Sequence, residues 1–562
     1  MPKGSSMCGF LGRNGNLNCL PDLERGLPLL KRRGPDSQHY WRSASGAMEL
    51  LQARLAIVDP HSRSDQPFKL PQYGLTVAFN GEVYNYEEIR STLGDRHSFQ
   101  TQSDTEVLLA SYALNGLDGI RSLRGMFSFA IVDEKNQETI IARDPVGKKP
   151  LYVGFWEGGA CFGSSLLAMA ASATTKPAID QTAIPHYFKR GFISPTQSVL
   201  EGARPIRPGE VLILDAEGRI KKQDDCRPRE AKHFFTNFEE AQEKMLAQLD
   251  LAVKRRLHNN PNPVTLLSGG IDSTVIADRL KRQTDFKALT LKSWTGWDSD
   301  EWYAKYAAKK IGVPIQPVAL NYGDIGGDVK WSASLQDEPL GMISFFPLCL
   351  LLRAAKEHGK ILYTGEGGDE VFLGYGKPTD WTDPEFEKAD YTPEEVADWV
   401  GPPNPEWMSP WGRFTTGFSM LGHIFAKADR ASAEQGVELR SPLLGYDHMG
   451  YAKEMNPNWM FVDNKPKGLL KSYLKTDWPD WFVNRRKMGF PFRIRYAWGM
   501  RLYSGLREMV SDKSMEISSQ HLPESLRKSP KKWSALAIFK NFTEAWKAVM
   551  WSQFQDRYDS LA

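Results

Sequence analysis

The run Val264-Thr-Leu-Leu267 leads directly into Ser268-Gly-Gly-Ile-Asp-Ser273. This reads as a buried strand ending in a glycine turn, with a helix opening at Asp272 and Ser273. Such a turn aims backbone N–H groups and a partial positive charge at one point, which suits an anion. Gly269 and Gly270 let the backbone approach a phosphate that any Cβ would hold off. The Gly-Lys-Ser/Thr ending of a Walker loop is missing. Further on, Thr364-Gly-Glu-Gly-Gly-Asp-Glu-Val-Phe-Leu-Gly-Tyr375 sets acids among glycines, and Asp337-Glu338-Pro339 adds an acidic pair ahead of a helix. Paired carboxylates beside a phosphate loop suit Mg2+, which keeps several waters and bridges to phosphate. Glu438-Leu-Arg-Ser-Pro-Leu-Leu444, Lys467-Gly-Leu-Leu-Lys471 and Arg485-Arg-Lys-Met-Gly-Phe490 supply cations for pyrophosphate. Near the start, Met7-Cys8-Gly9-Phe10 puts a thiol just after a methionine. If cleavage exposes Cys8, its own α-amino group can activate that thiol as a nucleophile.

Two frameworks are needed to hold these groups. Up to about residue 215 the chain is dense in short β-rich runs, among them Leu75–Phe79, Met126–Val132, Thr139–Ala142 and Val211–Leu214. Gly, Asn and Asp turns separate them, as packed antiparallel sheets require. Residues 216–236 are polar and aperiodic and read as a linker. Beyond it, strands alternate with longer helices. Val264–Leu267, Ala288–Leu291, Val313–Leu320 and Ile361–Thr364 are the strands; helices start at Ser273 and lie near Asp300–Ile311 and Pro347–Glu357. That alternation predicts a doubly wound parallel sheet. The predicted units are 8–215, the linker, and 237–562.

Composition narrows the class. The 562 residues are 41% hydrophobic and 25% charged, with a formal net charge of +3. That describes an ordinary globular protein of two or more domains without the field that nucleic acid demands. Five cysteines, Cys8, Cys19, Cys161, Cys226 and Cys349, show no metal-ligand spacing and point to a reducing compartment. No apolar run is long enough for a membrane span, and Met-Pro-Lys-Gly-Ser-Ser lacks a signal-peptide core. A cytoplasmic location is expected.

The glycine loop resembles the pyrophosphate loop of enzymes that cleave ATP to AMP and pyrophosphate. Cys8, Arg33-Gly-Pro-Asp36, Arg54-Leu-Ala-Ile-Val58, Phe79-Asn-Gly-Glu-Val-Tyr-Asn85 and Ser103-Asp-Thr-Glu106 resemble the class II glutamine amidotransferase domain. From Cys8 to about Phe492 the chain resembles the glutamine-hydrolysing asparagine synthetase family. The resemblance implies an N-terminal αββα sandwich of the N-terminal nucleophile type and a C-terminal ATP-pyrophosphatase domain. It implies that Cys8 attacks the glutamine side-chain amide, with Asn80 and the Gly81 N–H as the oxyanion hole. Arg54 would clamp the glutamine α-carboxylate, Leu55, Ala56, Ile57 and Val58 would contact the amino acid, and Glu82 and Asp104 would hold its α-ammonium. Ser268, Gly269, Gly270, Asp272, Ser273 and Lys467 would hold the ATP phosphates, and Leu267, Leu291, Thr364 and Gly365 its adenosine. Asp272 and Asp369 would serve Mg2+, and Glu366 the acyl-adenylate and ammonia steps. Ammonia would pass between the sites through an internal tunnel. Members of the family are often homodimers.

Two features depart from the family pattern. Residues precede Met7, so Cys8 becomes N-terminal only if Met7 is the true start or the leader is removed; otherwise the glutaminase is dead. Arg440-Ser-Pro-Leu-Leu-Gly445 carries glycine where the family has aspartate, and Asp447 follows two positions on. Aspartate is the leading carboxylate acceptor. A sugar acid, a cell-wall or natural-product precursor, or a β-lactam synthetase-like cyclisation are the alternatives. The Trp-rich tail after Pro491 (Trp498, Trp533, Trp546, Trp551) is expected to pack on the synthetase domain.

Overall fold

The structure, a computed structural model, describes residues 8–15, 22–55, 58–59, 61–156, 158–228, 235–258, 260, 262–292, 299–319, 324–383, 391–485 and 505–561. The N-terminal part holds two six-stranded antiparallel sheets. Its strands are β1 (Gly9–Gly15), β2 (Ser37–Arg42), β3 (Met48–Arg54), β4 (Phe68–Leu70), β5 (Leu75–Val83), β6 (Gly125–Asp133), β7 (Glu138–Arg143), β8 (Tyr152–Trp156), β9 (Gly159–Gly163), β10 (Ala203–Pro205), β11 (Glu210–Asp215) and β12 (Ile220–Asp225). The sheet orders are β10-β8-β9-β1-β3-β2 and β12-β11-β7-β6-β5-β4.

Each central strand is buried on both faces, so its side chains divide by parity. Phe10, Met48, Leu50, Ala130, Val132 and Ile141 meet between the sheets. Phe127, Phe129 and Ile131, the alternate residues of β6, turn outward with Val107 and Leu108 of the helix Asp104–Arg121. Leu51 and Ala53 face Leu166–Met169 of the helix Leu166–Ser172 on the other side. The layers are therefore αββα. Ile220–Asp225, within the expected linker, is a strand instead, paired antiparallel with β11. It is an edge strand, exposed along Ile220–Gln223, so no apolar alternation marks it.

The C-terminal part is built on a five-stranded parallel sheet, β13 (Val264–Leu266), β14 (Lys287–Leu291), β15 (Ile315–Val318), β16 (Ile361–Tyr363) and β17 (Glu438–Arg440). The order is β15-β14-β13-β16-β17. Ala288, Ile361 and Tyr363 face a core shared with the helices Ile271–Lys281 and Asp300–Ile311. Val264, Leu289, Leu362 and Leu439 face the helix Phe345–Ala355. The sheet is doubly wound, and its chain direction switches between β13 and β16. Loops leaving these two strands open a crevice at the switch point, where α/β sheets bind ligands.

Buried polar contacts lock the two parts together. Arg33 donates to both Asp429 oxygens at 3.0 and 3.1 Å. Asp337 caps the helix Leu166–Ser172, accepting from the Leu166 N–H at 2.8 Å, and pairs with Arg430 at 3.3 Å. Glu338 accepts from the Tyr152 hydroxyl at 2.9 Å. The Asp337-Glu338 pair thus belongs to the domain interface and not to the phosphate loop. The tail also departs from expectation. Trp533, Trp546 and Trp551 share one core with Leu11, Leu51, Leu166 and Tyr187 of the N-terminal part. The Tyr187 hydroxyl donates to the Lys547 carbonyl at 2.7 Å, and the Lys547 ammonium to Phe188 O at 2.7 Å. The last helix, Phe542–Asp559, therefore completes the first domain as well as the second. Trp498 lies outside the described residues. Among the described residues, no helix is long and apolar enough to cross a membrane.

Burial alone would raise the Asp429 carboxyl, but the Arg33 guanidinium outweighs it and holds it below its ordinary 3.8. Its stabilising contribution is present above pH 4 and is lost as the pH falls through the lower folded value. We expect Arg33→Ala to leave a buried carboxylate without its partner and to cost about 3–5 kcal/mol, read by denaturant unfolding at pH 7. An unchanged midpoint would mean that this pair does not hold the domains together.

Candidate active sites

Cys8 stands at the entrance to β1, half-buried. Its Sγ accepts from the Leu55 N–H at 3.2 Å and faces Leu55 O at 3.5 Å. Burial pushes the thiol up to about 11, with the Leu55 amide and Arg54 opposing only in part. A cavity adjoins it, walled by Arg54, Leu55, Val58, Asn80, Gly81, Glu82 and Asp104, with Glu438 from the other domain. Ala56 and Ile57 lie outside the described residues.

Within that wall, Asn80 and Gly81 belong to β5, paired opposite Ser128 and Phe127. The Asn80 amide is fully buried, its Oδ1 has no partner among the described residues, and its Nδ2 makes only a long 3.4 Å contact to Ser128. Gly81 has φ of +143° and its Cβ position is filled by the Met126 carbonyl. No other residue fits there, and the backbone is held beside the thiol pocket.

Arg54 and Glu82, both in the cavity wall, also take partners within the protein. The terminal nitrogens of Arg54 donate to Asp65 at 2.7 Å, Asp59 O at 2.7 Å, His61 O at 3.3 Å and Val58 O at 3.4 Å. Arg54 therefore organises the segment around Val58–Asp65 as well as lining the cavity. Glu82 is ion-paired with Arg440 of the synthetase domain. Burial raises Glu82 well above a normal carboxylate and Arg440 offsets part of that, while Glu438, equally buried, is held below its ordinary value by Arg440 and Lys149. Asp104 accepts from the Val83 N–H at 2.9 Å, and burial lifts it to about 6. Of the two expected ammonium ligands, Asp104 is the one not tied across the domain interface.

The second site forms where the β13 and β16 loops meet. Ser268 and Ser273 hydroxyls lie 3.0 Å apart, and Ser268 Oγ accepts from the Gly270 N–H at 3.2 Å. Gly270 caps the helix Ile271–Lys281 with no side-chain bond, which leaves that terminus to an incoming anion. Gly269, at φ of +68°, lies against Tyr303 and Ala304 backbone with room for no Cβ. The Cβ position of Gly365 lies 2.5 Å from the Ser273 nitrogen, so the two loops touch through glycine. Leu267 follows β13 and lies in the core, and Leu291 ends β14 half-buried. Thr364 Oγ accepts from the Glu366 N–H at 2.9 Å.

Lys467, in the left-handed region at φ of +63°, is buried between Asp272 and Asp369, the latter at 2.7 Å. Burial would lower the ammonium, but the two aspartates more than reverse this and raise it. Among the described residues no three acids, histidines or cysteines gather as a metal centre. The two aspartates are nevertheless hard oxygen donors, which fits Mg2+ shared with phosphate oxygens. Arg486–Phe490 lie outside the described residues.

Several functional groups went unread in the sequence. Lys148 reaches from the first domain to donate to Ser441 Oγ at 2.7 Å, and Ser441 Oγ contacts Glu366 Oε2 at 3.4 Å. Burial depresses Lys148 to about 8, with Glu366 opposing. Glu438 and Arg440 are residues i and i+2 of β17 and point the same way, which is the one signal the sequence offered. Gly445 leaves its Cβ position 3.6 Å from Arg256 Nη2. Asp447 does not replace the missing aspartate, because it pairs with Arg124 at 2.8 Å and Arg255 at 3.5 Å.

A thiol pocket on an αββα double sheet, joined to an adenylate-type loop on a parallel sheet, defines a glutamine-dependent amidoligase. Residues 7–224 match the family model described as glutamine amidotransferase domain, and residues 244–556 the one described as asparagine synthase. The chain belongs to the asparagine synthase family. It is 25% identical to asparagine synthetase B (glutamine-hydrolyzing) of Escherichia coli, with 91% of this chain and 86% of that one covered. Asparagine synthetase (glutamine-hydrolyzing) 1 of Bacillus subtilis is 24% identical, with 94% and 95% covered. Amidase chry2 of Gibberella zeae is 29% identical, with 63% and 55% covered.

If Asn80 supplies an oxyanion donor, Asn80→Ala lowers kcat for glutamine hydrolysis by roughly 100- to 1,000-fold with little change in KM. A loss under threefold would remove Asn80 from that role.

Proposed function

We propose that this protein amidates a carboxylate, aspartate first among candidates, using ATP and ammonia released from glutamine at Cys8. The observation that carries the reading is the end of β17. Glu438 walls the thiol cavity, Arg440 joins Glu82, and Ser441 touches Glu366. One four-residue stretch thus connects the two chemistries, and ammonia passing along the domain interface stays out of water, where it would be protonated and non-nucleophilic.

In this reading Cys8 becomes N-terminal. Among the described residues the cavity wall offers no histidine to take the thiol proton, and burial raises the thiol above its ordinary value; in this reading the α-amine is the base. Sγ attacks the glutamine amide carbon, and Asn80 and the Gly81 N–H receive the oxyanion. Collapse releases ammonia, and water then frees glutamate. At the second site the acceptor carboxylate attacks the ATP α-phosphorus and pyrophosphate leaves toward Ser268–Ser273 and Lys467. Mg2+ held by Asp272 and Asp369 would offset phosphate charge. Ammonia attacks the acyl carbonyl, AMP departs, and Glu366 accepts the proton that the new amide nitrogen sheds.

Gly445 favours a second reading, in which the acceptor is a carboxylate other than aspartate. The family's acid is missing there, and a relative named as an amidase shares 63% of the chain. A cyclase is disfavoured, since Cys8, Asn80 and Asp104 line one cavity.

The test is pyrophosphate release with ATP and glutamine across a panel of carboxylates. Turnover with another acid and none with aspartate would replace the first reading by the second. Cys8→Ala is expected to abolish synthesis from glutamine and to retain synthesis from ammonium salts. Loss of both would contradict the two-site scheme. Intact-mass measurement of active protein is expected to begin at Cys8; full glutaminase activity with the leader attached would exclude the α-amine as base.

A further inference from the structure

We propose that Arg485 is a second pyrophosphate-binding cation of the synthetase site, and that Asp300 competes with pyrophosphate for it and so drives product release. The inference rests on the reading of Ser268–Ser273 as a pyrophosphate loop, singles out Arg485 from the cations the sequence offered, and adds a competing acid.

Arg485 reaches the loop from a different direction than Lys467. Its Nη2 lies 3.9 Å from the Cβ position of Gly270, the residue that caps the helix Ile271–Lys281. Only 7% of the side chain is exposed, and its Nη1 is buried with no partner among the described residues. A buried guanidinium N–H without an acceptor is costly, and the natural acceptor is an anion. The neighbouring helix N-terminus attracts the same anion.

What holds Arg485 there packs against the loop. Its Nη2 donates to Asp300 Oδ1 at 2.9 Å, and its guanidinium carbon sits 4.3 Å above the Tyr303 ring. Asp300 opens the helix Asp300–Ile311, whose first turn lies against Gly269 through Tyr303 and Ala304. The position of Arg485 relative to the glycines is therefore set by the same turn that supplies Asp300. Burial raises the Asp300 carboxyl and Arg485 counters this.

A planar guanidinium binds phosphate with paired N–H groups. The Nη2 edge facing Gly270 is the edge that Asp300 occupies, so a bidentate grip on phosphate displaces Asp300 at least in part. Asp300 thereby lowers the affinity of the loop for pyrophosphate, and its return to Arg485 accompanies departure of the product.

The experiment uses the full-length enzyme in the ammonia-dependent reaction, with inorganic pyrophosphate as product inhibitor against ATP. Arg485→Gln is expected to raise the pyrophosphate Ki and the ATP KM about tenfold, the loss of one charge-assisted bond, and Arg485→Lys to recover part of it. Asp300→Asn is expected to act in the opposite direction, lowering the pyrophosphate Ki several-fold. A merely structural ion pair would make both variants shift the Ki the same way. An Asp300→Asn enzyme inhibited more weakly than wild type, or an Arg485→Gln enzyme inhibited equally, overturns the inference while leaving the loop assignment intact. A wild-type enzyme that neither releases nor binds pyrophosphate overturns both.

Discussion

Arg440 is the constraint on which the two-site arrangement depends. Its guanidinium is fully buried, and its donors go to Glu82 across the domain interface, to Glu438 two residues back at 2.8 Å, and to the Arg256 carbonyl. A charge so far from water is held by the acceptors around it, and breaking one such pair costs about 3–5 kcal/mol. The first domain can therefore sit against the parallel sheet in only one register. The backbone of Arg440 has a share in this too, since its carbonyl accepts from the Thr364 N–H at 3.0 Å and fixes the start of the loop that carries Glu366. One residue thus positions a wall of the glutamine cavity and the base of the synthetase loop together.

Much of this architecture was legible because it depends on local geometry. The strands around Phe79, Ile131 and Ile141 are apolar on both faces, which short continuous runs betray. The loops at Gly269 and Gly365 are glycine for a reason the sequence exposes, because neighbouring backbone stands where a side chain would begin. Ile220–Asp225 was missed for the converse reason. An edge strand wetted on both sides has no need of apolar alternation. The tryptophans of the last helix were recognised as buried, but not where. Phe542, Trp546, Val549, Trp551 and Phe554 surround it with apolar surface, so no single face indicates its neighbour.

The site residues divide along a similar line. Which atoms can do chemistry is a property of residue type; Cys8 and Asn80 line one cavity, and Lys467 meets Asp272 at the glycine loops. Which partner each takes is a property of the assembled chain. Glu82 and Asp104 look equivalent as acids beside a glutamine pocket, yet 358 residues separate Glu82 from the arginine that claims it. The same applies to Lys148, Ser441 and Glu366. Nothing in a lysine after Gly147 announces a hydroxyl 293 positions away.

The helix Phe542–Asp559 gives the chain an unusual order of assembly. The outer face of the sheet containing β1 and β3, together with Tyr187 and Phe188, is covered by a helix some 360 positions further along the chain. Ribosomes add about 5–20 residues per second, so the first domain waits tens of seconds, while the whole parallel sheet is synthesised, before its apolar surface is closed. During that interval the nascent amidotransferase half exposes a sticky face that a distant helix of the same chain goes on to cover. A protein built this way cannot be divided at its domain boundary without leaving one half incomplete.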